Sequence, residues 1–174
     1  MSSEPPRTRR HKVARLALGH GHEVAGVVYG TVVAMATLTA AYASVRDPWR
    51  VAVVVWTTLF VLWVAHLYSH GLGESIVRGR RLDRPELKAI ARRELGILLA
   101  AVGPSAALIL GAAGVLRENT SVWLALGVGL GTLAVEGLRY ARLERLSGWG
   151  TLAVTAANLG LGMLVVVLKI AVSH

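Results

Sequence analysis

The sequence predicts an all-α, polytopic integral membrane protein with five transmembrane helices. Three observations carry this. Of the 174 residues, 54% are apolar and the mean hydropathy is +0.55, more apolar than soluble domains run. The apolar residues fall into five stretches of roughly 20 residues, the length that spans a bilayer. The basic residues then alternate from one connection to the next. Arg7, Arg9, Arg10, Lys12 and Arg15 precede the first span. Arg78, Arg80, Arg81, Arg84, Lys88, Arg92 and Arg93 follow the second, and Arg139, Arg142 and Arg145 follow the fourth. Only Arg46, Arg50, Arg117 and Lys169 fall on the other side. By the positive-inside rule the N-terminus is expected inside and the C-terminus outside, in a multi-pass cell-membrane protein.

Residues 1–22 read as a basic cytoplasmic tail. Pro5, Pro6 and the arginines suit disorder over 1–10. Val13, Leu16 and Ala17, set among basic groups over 11–22, suit either a short interfacial helix or a frayed tail. The apolar stretch that follows is span-length and has no small-residue cleavage pattern, unlike a secretory signal. The transmembrane domain covers 23–172. Span one is expected at 23–44, with Glu23, Gly26, Gly30, Ala34, Thr37 and Ala41 on one side, a small-residue stripe suited to close helix contact. A turn at Arg46–Arg50 with Trp49 as interfacial anchor leads to span two, 51–72.

The connection 73–94 is expected to be a cytoplasmic helical linker. Asp83, Pro85 and Glu86 have the spacing of a capped helix start, and that helix should run on into span three, 95–116. Pro104 should kink this span. Spans four and five are expected at 121–138 and 149–172.

Ionisable groups within spans are costly and mark candidate functional positions. Trp56, Leu59, Trp63, His66, His70 and Glu74 fall within about 80° on one helical face. With the orientation above, His66 lies roughly 9 Å from the inner end of span two and His70 close to that end. Glu136 lies near the inner end of span four, on the Ala125, Gly129, Thr132 stripe. Asn158 lies roughly 13 Å into span five, on the face with Thr151, Thr155, Gly162 and Lys169. Glu94 and Glu23 open spans three and one. His66, His70, Glu136, Asn158, Glu94 and Glu23 are therefore the candidate transport or ion-binding residues, around a cavity open to the cytoplasm.

Two imidazoles at i and i+4 with a carboxylate from a neighbouring helix can ligate one divalent ion, so His66, His70 and Glu136 form the candidate metal set. The same groups can relay protons. Plainer accounts stand beside these. The histidines can bond headgroups or backbone, Arg139 can pair with Glu136 one turn away, and Glu23 and Glu94 suit helix N-termini. Glu74 reads as solvated, and His20 and His22 as part of a flexible Gly-His segment.

There is no cysteine, which removes disulfides, thiolate metal sites and cysteine nucleophiles. Six histidines are few for a histidine-rich di-metal enzyme, and no serine nucleophile elbow or phosphate loop is present, so no enzyme is expected. The net charge of +9 flanks spans rather than forming a nucleic-acid module. Richness in Ala, Val, Leu, Gly and Arg suggests a bacterial source with a GC-rich genome.

The layout is similar to that of the vacuolar iron transporter family: five spans, N-terminus inside, main cytoplasmic segment between spans two and three. The basic, His-containing residues 11–26 leading into Val27-Val28-Tyr29-Gly30-Thr31 resemble that family's amphipathic lead and glycine-containing first span. Residues 124–168, with a Gly-rich span four and the turn Arg142-Leu143-Glu144-Arg145-Leu146-Ser147-Gly148, resemble its last two spans. The resemblance implies a dimeric, cavity-forming bundle. The family's acidic residue in span one has no counterpart after Gly30, its Met- and Glu-based second span is here His66, His70 and Glu74, and 73–94 is too short for the Glu-rich metal-binding helices of some members.

The expected function is a small cation transporter or channel, for a divalent metal as substrate or for protons. The outer half of the bundle is mostly apolar apart from Thr37, Ser105 and Lys169, so a permanently open pore is not expected. The alternative is a non-transporting scaffold or partner subunit, a homodimer or other homo-oligomer, that associates through small-residue faces such as Gly26 and Gly30. No permanent cofactor is expected.

Overall fold

The structure, a computed structural model, describes the backbone of residues 7–172 and the side chains of residues 24–171. The described chain is helical: α1 (Arg7–Ser44), α2 (Pro48–Arg78), α3 (Arg84–Arg93), α4 (Leu95–Leu99), α5 (Val102–Ala112), α6 (Glu118–Leu143) and α7 (Gly148–Val172). Four stretches are long and apolar enough to cross a membrane: Val24–Ser44, Pro48–Arg78, Glu118–Leu143 and Gly148–Ala171. The pair Arg84–Leu99 and Val102–Ala112, bent by 43°, brings the number to five if it forms one span. The chain has the build of a membrane protein.

α1 starts at Arg7 and continues without a break into the first apolar stretch. No proline follows Pro6 in this segment, and Arg, Lys, Ala and Leu are good helix formers. The side chains of residues 11–22 lie outside the described set, and Glu23 with them.

α1 and α6 form the centre. α1 packs against α2, α4, α6 and α7, and α6 packs against α5 and α7 as well. The shared core holds Met35 and Leu38 from α1, Leu59 from α2, Leu108 from α5, and Leu126 and Leu133 from α6, each fully or almost fully buried. The small-residue stripe of α1 is used inside this bundle. A Cβ built on Gly30 would lie 2.8 Å from the Ile97 carbonyl oxygen and 2.9 Å from the Ala100 Cβ, while one on Gly26 would come no nearer than 3.7 Å to Gly96 and Ile97. α1 and α4 therefore touch backbone to backbone at Gly30. The close fit brings the two backbones into dispersion contact, the packing that attracts helices where lipid gives no hydrophobic drive.

α2 begins where the turn signal places it. The Asp47 carboxylate accepts the Trp49 N–H at 2.9 Å, and Pro48 occupies the first turn. The helix does not end with the apolar run at Leu72. It passes Gly71 and Gly73 and stops at Arg78, where Gly79 takes the left-handed conformation (φ 63°) that ends a helix without a Cβ clash. Arg78 pairs with Glu74 one turn back, so Glu74 has an ionic partner.

The 79–83 connection is closed by charge. Glu86 is bound by Arg78, by both guanidinium nitrogens of Arg80 at 2.7 and 3.1 Å, and by the Asp83 N–H at 2.9 Å. The last of these is the helix-start bond that the sequence spacing predicts. The Arg80 hydrogen bond first, then the Asp83 backbone bond and the nearby positive charges, hold the Glu86 carboxyl at about 2, against an ordinary 4.5. A depressed folded value means the knot is fully formed above about pH 4.5 and is lost as the pH falls through about 2. Amide protection over 79–83, taken relative to the intrinsic exchange rate at each pH, is expected to fall across that window in the natural chain. In Glu86→Gln that protection should be low at neutral pH and unchanged by acidification.

The pair Arg84–Leu99 and Val102–Ala112 bends as Pro104 requires. Proline has no N–H for the carbonyl four residues earlier and its ring crowds that carbonyl. The break falls at Ala100–Ala101, between α4 and α5. A second interruption at Glu94 separates α3 from α4, so the linker helix does not run smoothly into the span. α6 extends beyond the expected span at both ends, from Glu118 to Leu143.

Candidate functional site

The late part of α2 faces α4 and α1. His70 Nδ1 lies 3.1 Å from Glu94 Oε1. The imidazole is half-exposed and the Glu94 side chain is only 8% exposed. This is an ion-pair distance between the ring and the carboxylate, with Nε2 as the ring's other nitrogen. The pair stands at a cavity of about 240 Å³ whose wall includes Ser69, Glu74, Ile90 and Arg93.

His66 sits one turn deeper. Its Nδ1 lies 3.1 Å from the Leu62 carbonyl oxygen. A carbonyl only accepts, so Nδ1 donates here. The His66 ring centroid is 6.0 Å from that of His70 and 5.3 Å from that of Tyr29 on α1. Trp63 donates its Nε1–H to the Ala91 carbonyl at 3.2 Å and ties α2 to α3 beside this row. Glu94, His70, His66 and Tyr29 thus form a row of neighbouring polar side chains that crosses from the start of α4 over α2 to α1.

The remaining candidates lie elsewhere. Glu136 is buried on α6, and Arg139 Nη1 contacts both of its oxygens, at 3.1 and 3.3 Å. Asn158 donates from Nδ2 to the Leu133 carbonyl at 3.3 Å. It packs where Gly137 admits α7, since a Cβ there would lie 2.9 Å from Thr155 Cα and 3.2 Å from Asn158 Nδ2. Asn158 is a polar tie between two helices, the common use of an amide in such an interface. Glu23 is outside the described side chains.

Among the described residues, no group of three or more His, Asp or Glu side chains is placed to hold a metal ion. The expected metal set of His66, His70 and Glu136 is not gathered into one group among these residues. The physical reason is local: Arg139 neutralises Glu136 from its own helix, and His70 is served by Glu94.

The sequence names every member of the His66, His70, Glu94 group but selects the wrong carboxylate as partner. Both His70 and Glu94 belong near the same end of adjacent antiparallel spans, and matching their depths was the available signal. Tyr29 was not singled out. Its position one residue before the Gly30 contact places it beside α2.

Toward the other end of the bundle, the Lys169 ammonium lies 4.0 Å from the Trp123 ring centroid and 5.9 Å from that of Tyr42. These residues line a second polar cavity, of about 430 Å³. The fully buried leucines and Met35 lie between the two.

No family model matches the chain, and neither a curated protein nor a solved structure matches it significantly.

Proposed function

We propose that this protein is a proton-handling membrane transporter, with His70 and Glu94 as the loading site, oriented with its N-terminus inside the cell. The observation that carries this reading is the 3.1 Å contact between a half-exposed imidazole and a buried carboxylate. A proton taken from the cavity by His70 Nε2 makes the ring cationic. The Nδ1 proton then passes to Glu94, which restores a neutral ring and leaves a neutral acid. From His70 the row also runs the other way, over His66 to Tyr29. The divalent-metal version is less favoured, because the described residues offer no three-ligand group.

The apolar layer between the two cavities means that passage requires a change of shape. The Ala100–Ala101 break lies six residues after Glu94, in the same span. Loss of charge at Glu94 removes its attraction for a protonated His70 and frees α4 to move about that joint.

The test is proton flux in proteoliposomes with an internal pH dye. His70→Ala and Glu94→Gln are each expected to lower flux by about 10²-fold or more, the range of a lost proton-transfer group. Wild-type flux preserved in both variants would remove this pair from the mechanism.

The scaffold reading has one observation in its favour. α7 is the least buried of the spans, with 11% of its most apolar window inside the bundle. It requires wild-type proteoliposomes without flux and a crosslink between copies through α7. Gly26 and Gly30 no longer serve it, because α4 already covers them.

A further inference from the structure

We infer that the cavity between the last turns of α2 and α3 binds an anionic phospholipid, with one acyl chain inside it and the headgroup on the basic residues at its mouth. The inference rests on the membrane placement proposed above and not on the proton step. Val64, Leu67 and Leu72 of α2, Leu82 of the connection and Leu87 of α3 wall a space of about 430 Å³, within the range of small-ligand sites. The α2 wall follows one helical face from Val64 to Ser75, about 16 Å at 1.5 Å per residue, which suits an extended chain. Gly71 keeps this space open. A Cβ there would look onto Leu87 Cδ1 at 3.6 Å and Leu82 Cδ1 at 3.9 Å, so the first carbon fits and a longer side chain would enter the cavity.

The walls favour an apolar ligand and the mouth a negative one. Ser75 is already used, since its Oγ donates to the Arg80 carbonyl at 2.9 Å. Arg81 is the charged residue of the wall among the described residues, and it is exposed. The nearby carboxylates are engaged elsewhere: Glu74 and Glu86 by Arg78, Glu86 and Asp83 by Arg80, and Glu94 by His70. Among the described residues no carboxylate pairs with Arg81, Arg84, Lys88 or Arg92. The last three stand four residues apart on an exposed stripe of α3, next to the Leu87 side. A chain-sized apolar cavity thus opens beside a surplus of positive charge. An anionic phospholipid complements both, with its phosphate matched to a guanidinium fork. Set in a bilayer with the N-terminus inside, the 79–83 connection faces the cytoplasmic leaflet, where the anionic lipids lie. Tyr68, 69% exposed on the same wall, is of the type that sits at headgroup level.

The test is native mass spectrometry of the full chain, tag removed, with phosphatidylglycerol and phosphatidylcholine of the same acyl chains in equimolar mixture. Phosphatidylglycerol is expected to be preferred by about five-fold for each basic side chain that meets the headgroup. Arg81→Gln should lower that preference about five-fold. Arg142→Gln, an exposed arginine near the end of α6 that does not line the cavity, should leave it unchanged. Gly71→Leu fills the cavity with every basic residue intact and should lose the retained lipid, while its helicity by circular dichroism matches wild type. Equal retention of the two lipids would make this a neutral-lipid pocket and overturn the assignment. A preference that Arg81→Gln and Arg142→Gln lower alike would reduce it to diffuse surface charge. Lipid retained by a folded Gly71→Leu would empty the cavity of its role, and if that variant does not fold, Arg81 against Arg142 decides. None of these variants changes His70 or Glu94, so lipid retention without proton flux leaves this site standing, and flux without retention removes it alone.

Discussion

Gly30→Ala is expected to destabilise the bundle by about 1–3 kcal/mol, the usual cost of forcing a methyl into filled space. The new Cβ would meet the Ile97 carbonyl oxygen at 2.8 Å, Ile97 Cα at 2.9 Å and the Ala100 Cβ at 2.9 Å. Two of these atoms are backbone and no rotamer change relieves them. α1 and α4 must separate, and the close contact that attracts them is lost along with the space. Gly26→Ala, one turn earlier on the same stripe, provides the comparison. Its nearest neighbours would stand at 3.7 Å, an ordinary contact, and alanine is the better helix former by about 0.5–1 kcal/mol. Gly26→Ala should therefore be neutral or slightly stabilising. The midpoint of detergent-induced unfolding of the purified full chain separates them. Equal midpoints for the two variants would show that the α1–α4 approach is looser than described.

Leu108→Ala should cost about 2 kcal/mol. Leu108 is fully buried on α5, which packs against α6 and α2. In a water-soluble core such a change costs about 2–5 kcal/mol, part from transfer out of water and part from the cavity. With the chain set in lipid, as proposed, unfolding would keep its leucines against acyl tails, so the transfer part shrinks. The lost dispersion contacts around the cavity remain, which places the expectation at the low end of the range. Leu168, 53% exposed on α7, is the control. Leu168→Ala should stay within about 0.5 kcal/mol. A comparable loss in both variants would mean that α7 is covered by a partner.

What the sequence made legible follows the range of the forces involved. The Asp83–Glu86 bond and the Asp47–Pro48 helix start depend on residues within one turn, and both stand where the spacing puts them. The apolar runs locate the spans, because hydropathy is a property of each stretch alone. Helix ends were less legible. α2 outlasts its apolar run because hydropathy reports burial in lipid, while the helix stops only where Gly79 can turn left-handed. Pro104 signals a bend, but the break lies at Ala100–Ala101 since the missing N–H is owed to a residue one turn back. The choice between Glu94 and Glu136 as partner of His70 was not legible. Periodicity gives each helix a polar face without saying which neighbour that face meets. That information resides in contacts such as Gly30 against Ile97, which set α4 beside α1 and α2.

The 31 residues of α2 measure about 46 Å, half again the roughly 30 Å hydrocarbon thickness of a bilayer. Such a rod must tilt or project. Its last turn is locked through Arg78 and Glu86 to α3, and α3 leads directly to Glu94. α2 is thus a lever with His70 on its shaft and Glu94 on the arm it drags. Set across a bilayer, it would be laid over by a thinner one and would stand steeper in a thicker one, so membrane thickness would act mechanically on the separation between imidazole and carboxylate.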